Sequence, residues 1–372
     1  MKKTKKKICI VLGTRPEIIK LSPVIRETLL HSPDSFIIHT GQHYSQDMDA
    51  IFFEELELAE PKYNLGVGSG LHGEQTAKML TQIEKILLDE KPDIVIVHGD
   101  TNSTLAGALT AVKLDIPIAH VEAGLRSYDR KMPEEVNRVL VDHISTWLFA
   151  PTDGAREQAL QEGIASEKIK VVGNTIADAL EQNIDIAKKR STILKKFKLR
   201  SKNYILMTAH RPENTDVRKN LENIVNALVE ITNKTNKYIL WPVHPRTTAV
   251  LKKYGLDKVL NENKKILIKE PQGFMDFIIL EANAALILTD SGGLQEEACI
   301  LEIPCVTLRN NTERPESVEV GANVLVGANT DNIIKTVLQM LDNKRTWDSP
   351  YGDGKSAQHI LDILLSARGG VK

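Results

Sequence analysis

The residues best suited to chemistry stand directly after short β-branched runs. Gly13-Thr14-Arg15-Pro16-Glu17-Ile18-Ile19-Lys20 follows one run, and His98-Gly99-Asp100-Thr101-Asn102-Ser103 ends another. His120-Val121-Glu122-Ala123-Gly124-Leu125-Arg126 ends a third. Later, Thr208-Ala209-His210-Arg211, Pro242-Val243-His244-Pro245-Arg246 and Thr289-Asp290-Ser291-Gly292-Gly293-Leu294-Gln295-Glu296-Glu297 repeat the arrangement. Asp100 and Glu122 are each preceded two residues earlier by a histidine. Two carboxylates in different surroundings can supply an acid and a base. Glu134, after Pro133, could join them, although a helix dipole also explains an acid there and at Glu135. Asp100 reads equally as the N-cap of the helix that follows it. Strand alternation puts His98 and Asp100 on one side if the strand extends that far.

Anion binding is the second kind of chemistry. Small residues entering a helix, here Ser291-Gly292-Gly293, leave backbone N–H groups free for phosphate at the positive helix end. The same trio also serves as an N-cap with a tight turn. Arg15 and Lys20, at the start of the first helix, could reach an anion or lie on a solvated face. Arg314, within Leu308-Arg309-Asn310-Asn311-Thr312-Glu313-Arg314-Pro315-Glu316, is open to both readings. Gly68-Ser69-Gly70-Leu71-His72-Gly73 matches G-x-G-x-x-G, but Pro61–Val67 before it is loop-like, so no dinucleotide fingerprint is read there. His98, Asp100, His120 and Glu122 fit no metal signature, and no GxSxG or Walker A pattern occurs.

These residues need a scaffold. A chain of 372 residues suggests two domains, or three on length alone, at about 150 residues each. Charged residues at 26% and hydrophobic residues at 42% are ordinary for a globular chain, which excludes extended disorder. A net charge of -1 provides no global attraction for nucleic acid or an anionic membrane. Cys9, Cys299 and Cys305 form no CxxC, which fits a reducing compartment without disulfides. Met1–Lys7 carries five lysines, but only Ile8–Leu12 follows before Gly13, too short for a signal h-region of about 7–15 residues. No stretch approaches the roughly 20 apolar residues of a membrane span. The expectation is a cytoplasmic protein.

Strands are predicted at Ile8–Leu12, Phe36–Thr40, Ile94–His98, Ile118–Val121, Leu148–Ala150 and Ile169–Val172. A second set follows at Tyr204–Thr208, Tyr238–Val243, Lys265–Ile268, Ala285–Thr289, Cys305–Thr307 and Asn323–Val326. Amphipathic helical stretches separate most of them. Near-continuous apolar strands alternating with helices predict an α/β fold of two doubly wound parallel-sheet domains, with an eight-stranded barrel as rival. The boundary is expected near Gly173-Asn174. The basic stretch Lys188–Lys202 reads as a solvated face. A last helix, Ser356–Leu365, follows the turn Pro350-Tyr351-Gly352-Asp353-Gly354 and is expected to pack back across the boundary.

Taken as a set, these motifs carry a resemblance. Gly13–Glu17, His98-Gly99-Asp100, His120–Arg126, Pro133-Glu134-Glu135-x-Asn137-Arg138, Ala209-His210-Arg211, Asp290–Glu297, Thr312–Glu316 and Pro350–Gly354 resemble, in order, the non-hydrolysing UDP-N-acetylglucosamine 2-epimerases. The resemblance implies two Rossmann-like domains in a glycosyltransferase-B arrangement, residues 1–173 and 174–355, with an interdomain cleft. Helix 356–366 would return to the first domain. It implies epimerisation of UDP-N-acetylglucosamine to UDP-N-acetylmannosamine through UDP elimination and 2-acetamidoglucal. No cofactor or metal is implied, no nucleic acid or membrane partner, and a homodimer is usual. Carried over by motif, Arg15, Lys20, Gln272, Phe277, Ser291, Gly292, Gly293, Glu297 and Arg314 would hold the nucleotide sugar. Asp100, Glu122, Glu134 and His210 would serve the chemistry. A hydrolysing epimerase or a glycosyltransferase of the same architecture are the alternatives.

The chain departs from many bacterial members at two places. It reads His210-Arg211-Pro212-Glu213-Asn214 where they read His-Arg-Arg-Glu-Asn, and Gln42-His43-Tyr44 where they carry an Arg after Gln-His. In those enzymes the two positions belong to a second, regulatory UDP-N-acetylglucosamine site. Initial rates in the mannosamine-to-glucosamine direction are therefore expected to be hyperbolic without added UDP-N-acetylglucosamine. An absolute requirement for that compound would refute this expectation.

Overall fold

Runs of Ile, Val and Leu that are buried along their whole length need cover on both faces, and a parallel sheet between helices provides it. In the computed structural model, which describes residues 6–42, 52–342 and 346–367, the chain forms two compact units. Unit 1 comprises residues 1–182 and 351–372, and unit 2 comprises residues 183–350.

Unit 1 holds a parallel sheet of β1 (Ile8–Leu12), β2 (Phe36–His39), β3 (Tyr63–Asn64), β4 (Ile94–His98), β5 (Ile118–Val121), β6 (Trp147–Ala150) and β7 (Ile169–Val171), in the order β3-β2-β1-β4-β5-β6-β7. Unit 2 holds β8 (Tyr204–Thr208), β9 (Tyr238–Pro242), β10 (Ile266–Lys269), β11 (Leu286–Thr289), β12 (Cys305–Thr307) and β13 (Asn323–Leu325), ordered β10-β9-β8-β11-β12-β13. Both are doubly wound. The strand order reverses between β1 and β4 in unit 1 and between β8 and β11 in unit 2, and open parallel sheets bind ligands beyond such switch points. The residues following these strands are the polar turns singled out above. β3 is absent from the strand expectations, because two residues are too short to show alternation. It does not make Gly68–Gly73 a fingerprint, since it is an edge strand and not the first strand of its sheet.

The division between units falls inside the helix Thr175–Arg190, after Gln182, and not at Gly173. The reason is local. Asn174 N donates to Tyr351 O at 2.8 Å, and Gly173 packs against Gly352. Buried Asp178 accepts from the N–H groups of Ser356 (3.1 Å) and Ala357 (2.9 Å), capping the helix Ser356–Ser366. That helix packs on Arg15–His31, so residues 351–355 also belong to unit 1. Burial raises the Asp178 pKa against these donors. Asp178→Ala is expected to lower unfolding free energy by about 1–2 kcal/mol, read by urea titration. A loss within a few tenths would show that the cap does not hold the helix.

Candidate active site

Unit 1 gathers carboxylates at the ends of β4 and β5. Strand β4 ends at His98, and Gly99 adopts φ +68. The turn breaks the expected alternation, so His98 and Asp100 diverge. His98 Nε2 lies 2.9 Å from Glu122 Oε2, off hydrogen-bond geometry, and Lys20 Nζ donates to the same oxygen at 2.6 Å. Asp100 Oδ2 instead accepts from Arg138 Nε (2.9 Å) and Nη2 (2.6 Å). Asp100 is not the N-cap. Thr101 is, its side chain accepting from Thr104 N.

Arg138 joins two acids, since its Nη1 also donates to Glu135 Oε2 at 2.7 Å. Burial pushes the Glu135 pKa up, but the N–H groups of Ser127 and Tyr128 and the Arg138 guanidinium outweigh it and hold the group below the usual range. Glu134 occupies the second position of the helix Pro133–Ile144, half-buried beside Glu135. Arg15 stacks over the Phe52 ring at 5.2 Å.

Beneath these residues, Glu17 is buried and collects Gly13 N (3.0 Å), Thr14 Oγ1 (2.8 Å), Thr101 Oγ1 (2.9 Å) and Thr104 Oγ1 (3.2 Å). It ties the turn after β1 to the turn after β4. Gly13 has to be glycine, because a Cβ there would lie 2.0 Å from Thr40 Oγ1 and 2.2 Å from Ser103 Oγ. The four residues weighed as a metal set join different pairings. His98 faces Glu122, Asp100 faces Arg138, and His120 bonds Asp142.

In unit 2, a cavity of about 500 Å³ is lined by Thr208, Ala209, His210, Pro242, His244, Arg246, Pro271, Gln272 and Phe277. Asp290 organises its His210 side. Its carboxylate accepts His210 N at 3.1 and 3.0 Å, Arg211 N at 3.0 Å and Asn214 Nδ2 at 3.1 Å, and lies 3.1 Å from His210 Nδ1. Burial raises the Asp290 pKa, but His210 and these donors outweigh it, so the group titrates below its ordinary value.

Ser291 holds the N-cap position of the helix Gly292–Ile300, yet its side chain makes no capping bond. The helix therefore relies on no hydroxyl cap, which suits the anion reading. Glu297 on this helix is hydrogen-bonded to Glu281, which is 1% exposed. Burial and then the Glu297 charge hold the Glu281 pKa well above the carboxylate range. Arg314 Nε lies 2.9 Å from Glu296 Oε1, and its backbone N donates to Thr312 Oγ1. Gln272 Nε2 donates to Glu270 O.

Sequence reasoning named the acids near the strand ends but not Glu17, Arg138, Asp142, Glu281 or Asp290 as site residues. Glu17, Arg138 and Asp290 stood inside quoted motifs. Pro212 opens the short helix Pro212–Thr215, while His43 and Tyr44 lie outside the described residues. No helix of the described residues is long and apolar enough to cross a membrane.

The depressed Asp290 pKa fixes the sign of a pH effect. Its contribution to stability is full above the unfolded value of about 4 and is lost as pH falls through the lower folded value. Asp290→Asn is expected to cost at least about 2 kcal/mol near neutrality and to flatten the acid limb of a stability profile. An unchanged acid limb would show that other carboxylates set it.

Comparison with known proteins gives consistent matches. Residues 30–365 match the sequence pattern of the UDP-N-acetylglucosamine 2-epimerase family. The chain is 59% identical over 360 residues to a UDP-N-acetylglucosamine 2-epimerase of Methanocaldococcus jannaschii, covering 96% of this chain and 98% of that protein. It is 42% identical over 361 residues to a UDP-2,3-diacetamido-2,3-dideoxy-D-glucuronate 2-epimerase of Pseudomonas aeruginosa, covering 96% and 99%. A crystal structure of the M. jannaschii UDP-GlcNAc 2-epimerase in complex with UDP-GlcNAc and UDP aligns with a TM-score of 0.84, covering 97% of this chain and 100% of that one. The Neisseria meningitidis enzyme bound to UDP-GlcNAc aligns at 0.85 with 34% identity, again covering 97% and 100%.

Proposed function

Because the chain belongs to the UDP-N-acetylglucosamine 2-epimerase family, we propose that it interconverts UDP-N-acetylglucosamine and UDP-N-acetylmannosamine, without net hydrolysis. The observation that carries this reading is the 59% identity, over nearly its full length, to an archaeal enzyme of that name. The acids at the ends of β4 and β5 support it.

The C2 proton of the sugar is not acidic, so the C1–O bond to UDP must break ahead of proton loss, with oxocarbenium character. One carboxylate takes the C2 proton as C1=C2 forms, leaving 2-acetamidoglucal and UDP. A second acid delivers a proton to the other face of C2, and a UDP oxygen re-forms the bond to C1. Asp100, Glu122 and Glu134 are the proposed acid–base groups, with His210 lining the sugar pocket. The leaving diphosphate needs positive charge and helix-end N–H groups. Ser291, Gly292, Gly293, Arg15, Lys20 and Arg314 are proposed for it, with Gln272 and Phe277 holding the rest of the nucleotide and Glu297 the ribose hydroxyls. A homodimer is the proposed assembly.

The P. aeruginosa relative favours one second reading, a sugar modified at C3 and C6.

Proton NMR of the protein with UDP-N-acetylglucosamine in D2O tests these readings. Deuterium at C2 with a growing UDP-N-acetylmannosamine signal is expected. Free N-acetylmannosamine with accumulating UDP would replace the proposal with the hydrolysing reaction. An unchanged spectrum, with turnover of the diacetamido-glucuronate, would favour the second reading. Asp100→Asn, Glu122→Gln and Glu134→Gln should each lower turnover by about 10²-fold or more while UDP binding persists. Unchanged turnover in all three would remove them from the mechanism.

A further inference from the structure

Eight non-glycine residues among those described have positive φ, and seven of them, including Lys91, Asp115 and Glu302, are exposed. The eighth is Glu122, with φ +66 and a side chain only 8% exposed. A left-handed residue with a Cβ costs about 1–3 kcal/mol and persists only where its surroundings over-determine it. The turn after β5 therefore needs a device that holds it.

That device is a buried pair. His120, next to last in β5, is 1% exposed. Its Nε2 lies 2.8 Å from Gly99 O, the carbonyl directly before Asp100. Its Nδ1 lies 2.7 Å from Asp142 Oδ1. Asp142 Oδ2 accepts Gly124 N at 3.1 Å and pairs with Arg126 Nη1 at 2.7 Å. Gly124 itself has φ +82, and a Cβ there would meet Ala155 O at 2.3 Å. Three left-handed residues, Gly99, Glu122 and Gly124, thus stand in two adjoining turns bridged by one imidazole and one carboxylate. Both contacts of the His120 ring end on oxygen atoms, one a carboxylate and one a backbone carbonyl.

We propose that His120 and Asp142 are positioning residues that lock the turns presenting Asp100 and Glu122. The proposal rests on the assignment of those two acids above. His120 sits two residues from Glu122 and contacts the residue before Asp100, so it sets both acids at once. Neither His120 nor Asp142 would touch substrate.

The test compares His120→Asn, His120→Gln and Asp142→Asn with wild type. An asparagine amide can reach Asp142 from the Nδ1 position but not Gly99. A glutamine amide can reach toward Gly99 from the Nε2 position. Turnover is normalised to UDP-binding sites counted by calorimetric titration, so unfolded material drops out. His120→Asn and Asp142→Asn are expected to lower kcat on the order of 10²-fold, since displacing acid–base groups by about 1 Å has that effect. UDP Kd and KM should stay within about threefold, and His120→Gln should recover part of the kcat. The proposal is overturned if kcat per UDP-binding site stays within about threefold in both variants, or if activity falls only in proportion to lost binding sites. A wild-type protein that binds UDP and epimerises nothing would instead overturn the functional reading.

Discussion

A parallel sheet presents its ligand-binding turns with a difficulty: the chain leaves each strand through a tight bend, and the backbone N–H groups of that bend have no ladder partner. Buried N–H groups left unpaired cost about 1–3 kcal/mol each. Here side-chain carboxylates collect them. Glu17 takes Gly13 N, Asp142 takes Gly124 N, Glu135 takes Ser127 and Tyr128 N, and Asp290 takes His210 and Arg211 N. Asp178 does the same for the returning helix at Ser356 and Ala357. The positions of Asp100, Glu122 and His210 follow from these anchors.

The anchors divide by their partners. Asp142, Glu135 and Asp290 bond directly to a basic side chain, and all three titrate below the usual value in spite of burial. Glu17 and Asp178 are bonded by hydroxyl and backbone donors alone, and burial raises both. Where the bonded donors include a basic side chain, they and the neutral donors together outweigh desolvation, whereas burial prevails at Glu17 and Asp178. The first group therefore stabilises the turns near neutrality as charged groups. The second group is raised by burial, so its protonation as the pH falls favours the folded state.

Strand runs such as Ile94–His98 and Cys305–Thr307 were legible because their apolar character is continuous and local. The motifs after them placed the acids at strand ends, and the switch-point rule pointed there too. The anchors were not legible for a physical reason. Asp142 meets His120 across 22 residues, and Asp290 meets His210 across 80, through pairings that leave no periodic trace. One signal was available: Asp142 lies within Val139-Leu140-Val141-Asp142-His143-Ile144, where an acid among apolar residues asks for a buried partner. Asp100 was open to an N-cap reading because Thr101, one residue later, satisfies the same pattern. The bond from Thr104 N to the Thr101 side chain decides between the two.

The same backbone geometry sets Glu122 apart at the end of β5. Gly124, like Gly99, adopts positive φ and carries no side chain, which is the low-strain choice for such a bend. Position 122 has the same backbone requirement but is filled by glutamate. Glycine there would remove the strain and the carboxylate together. A chain that keeps the strained residue while using glycine two positions later gains something that a bare turn does not provide. In this site that is an acid fixed against Lys20 and His98, at a spot that an extended strand residue, with its side chain alternating across the sheet, would not reach.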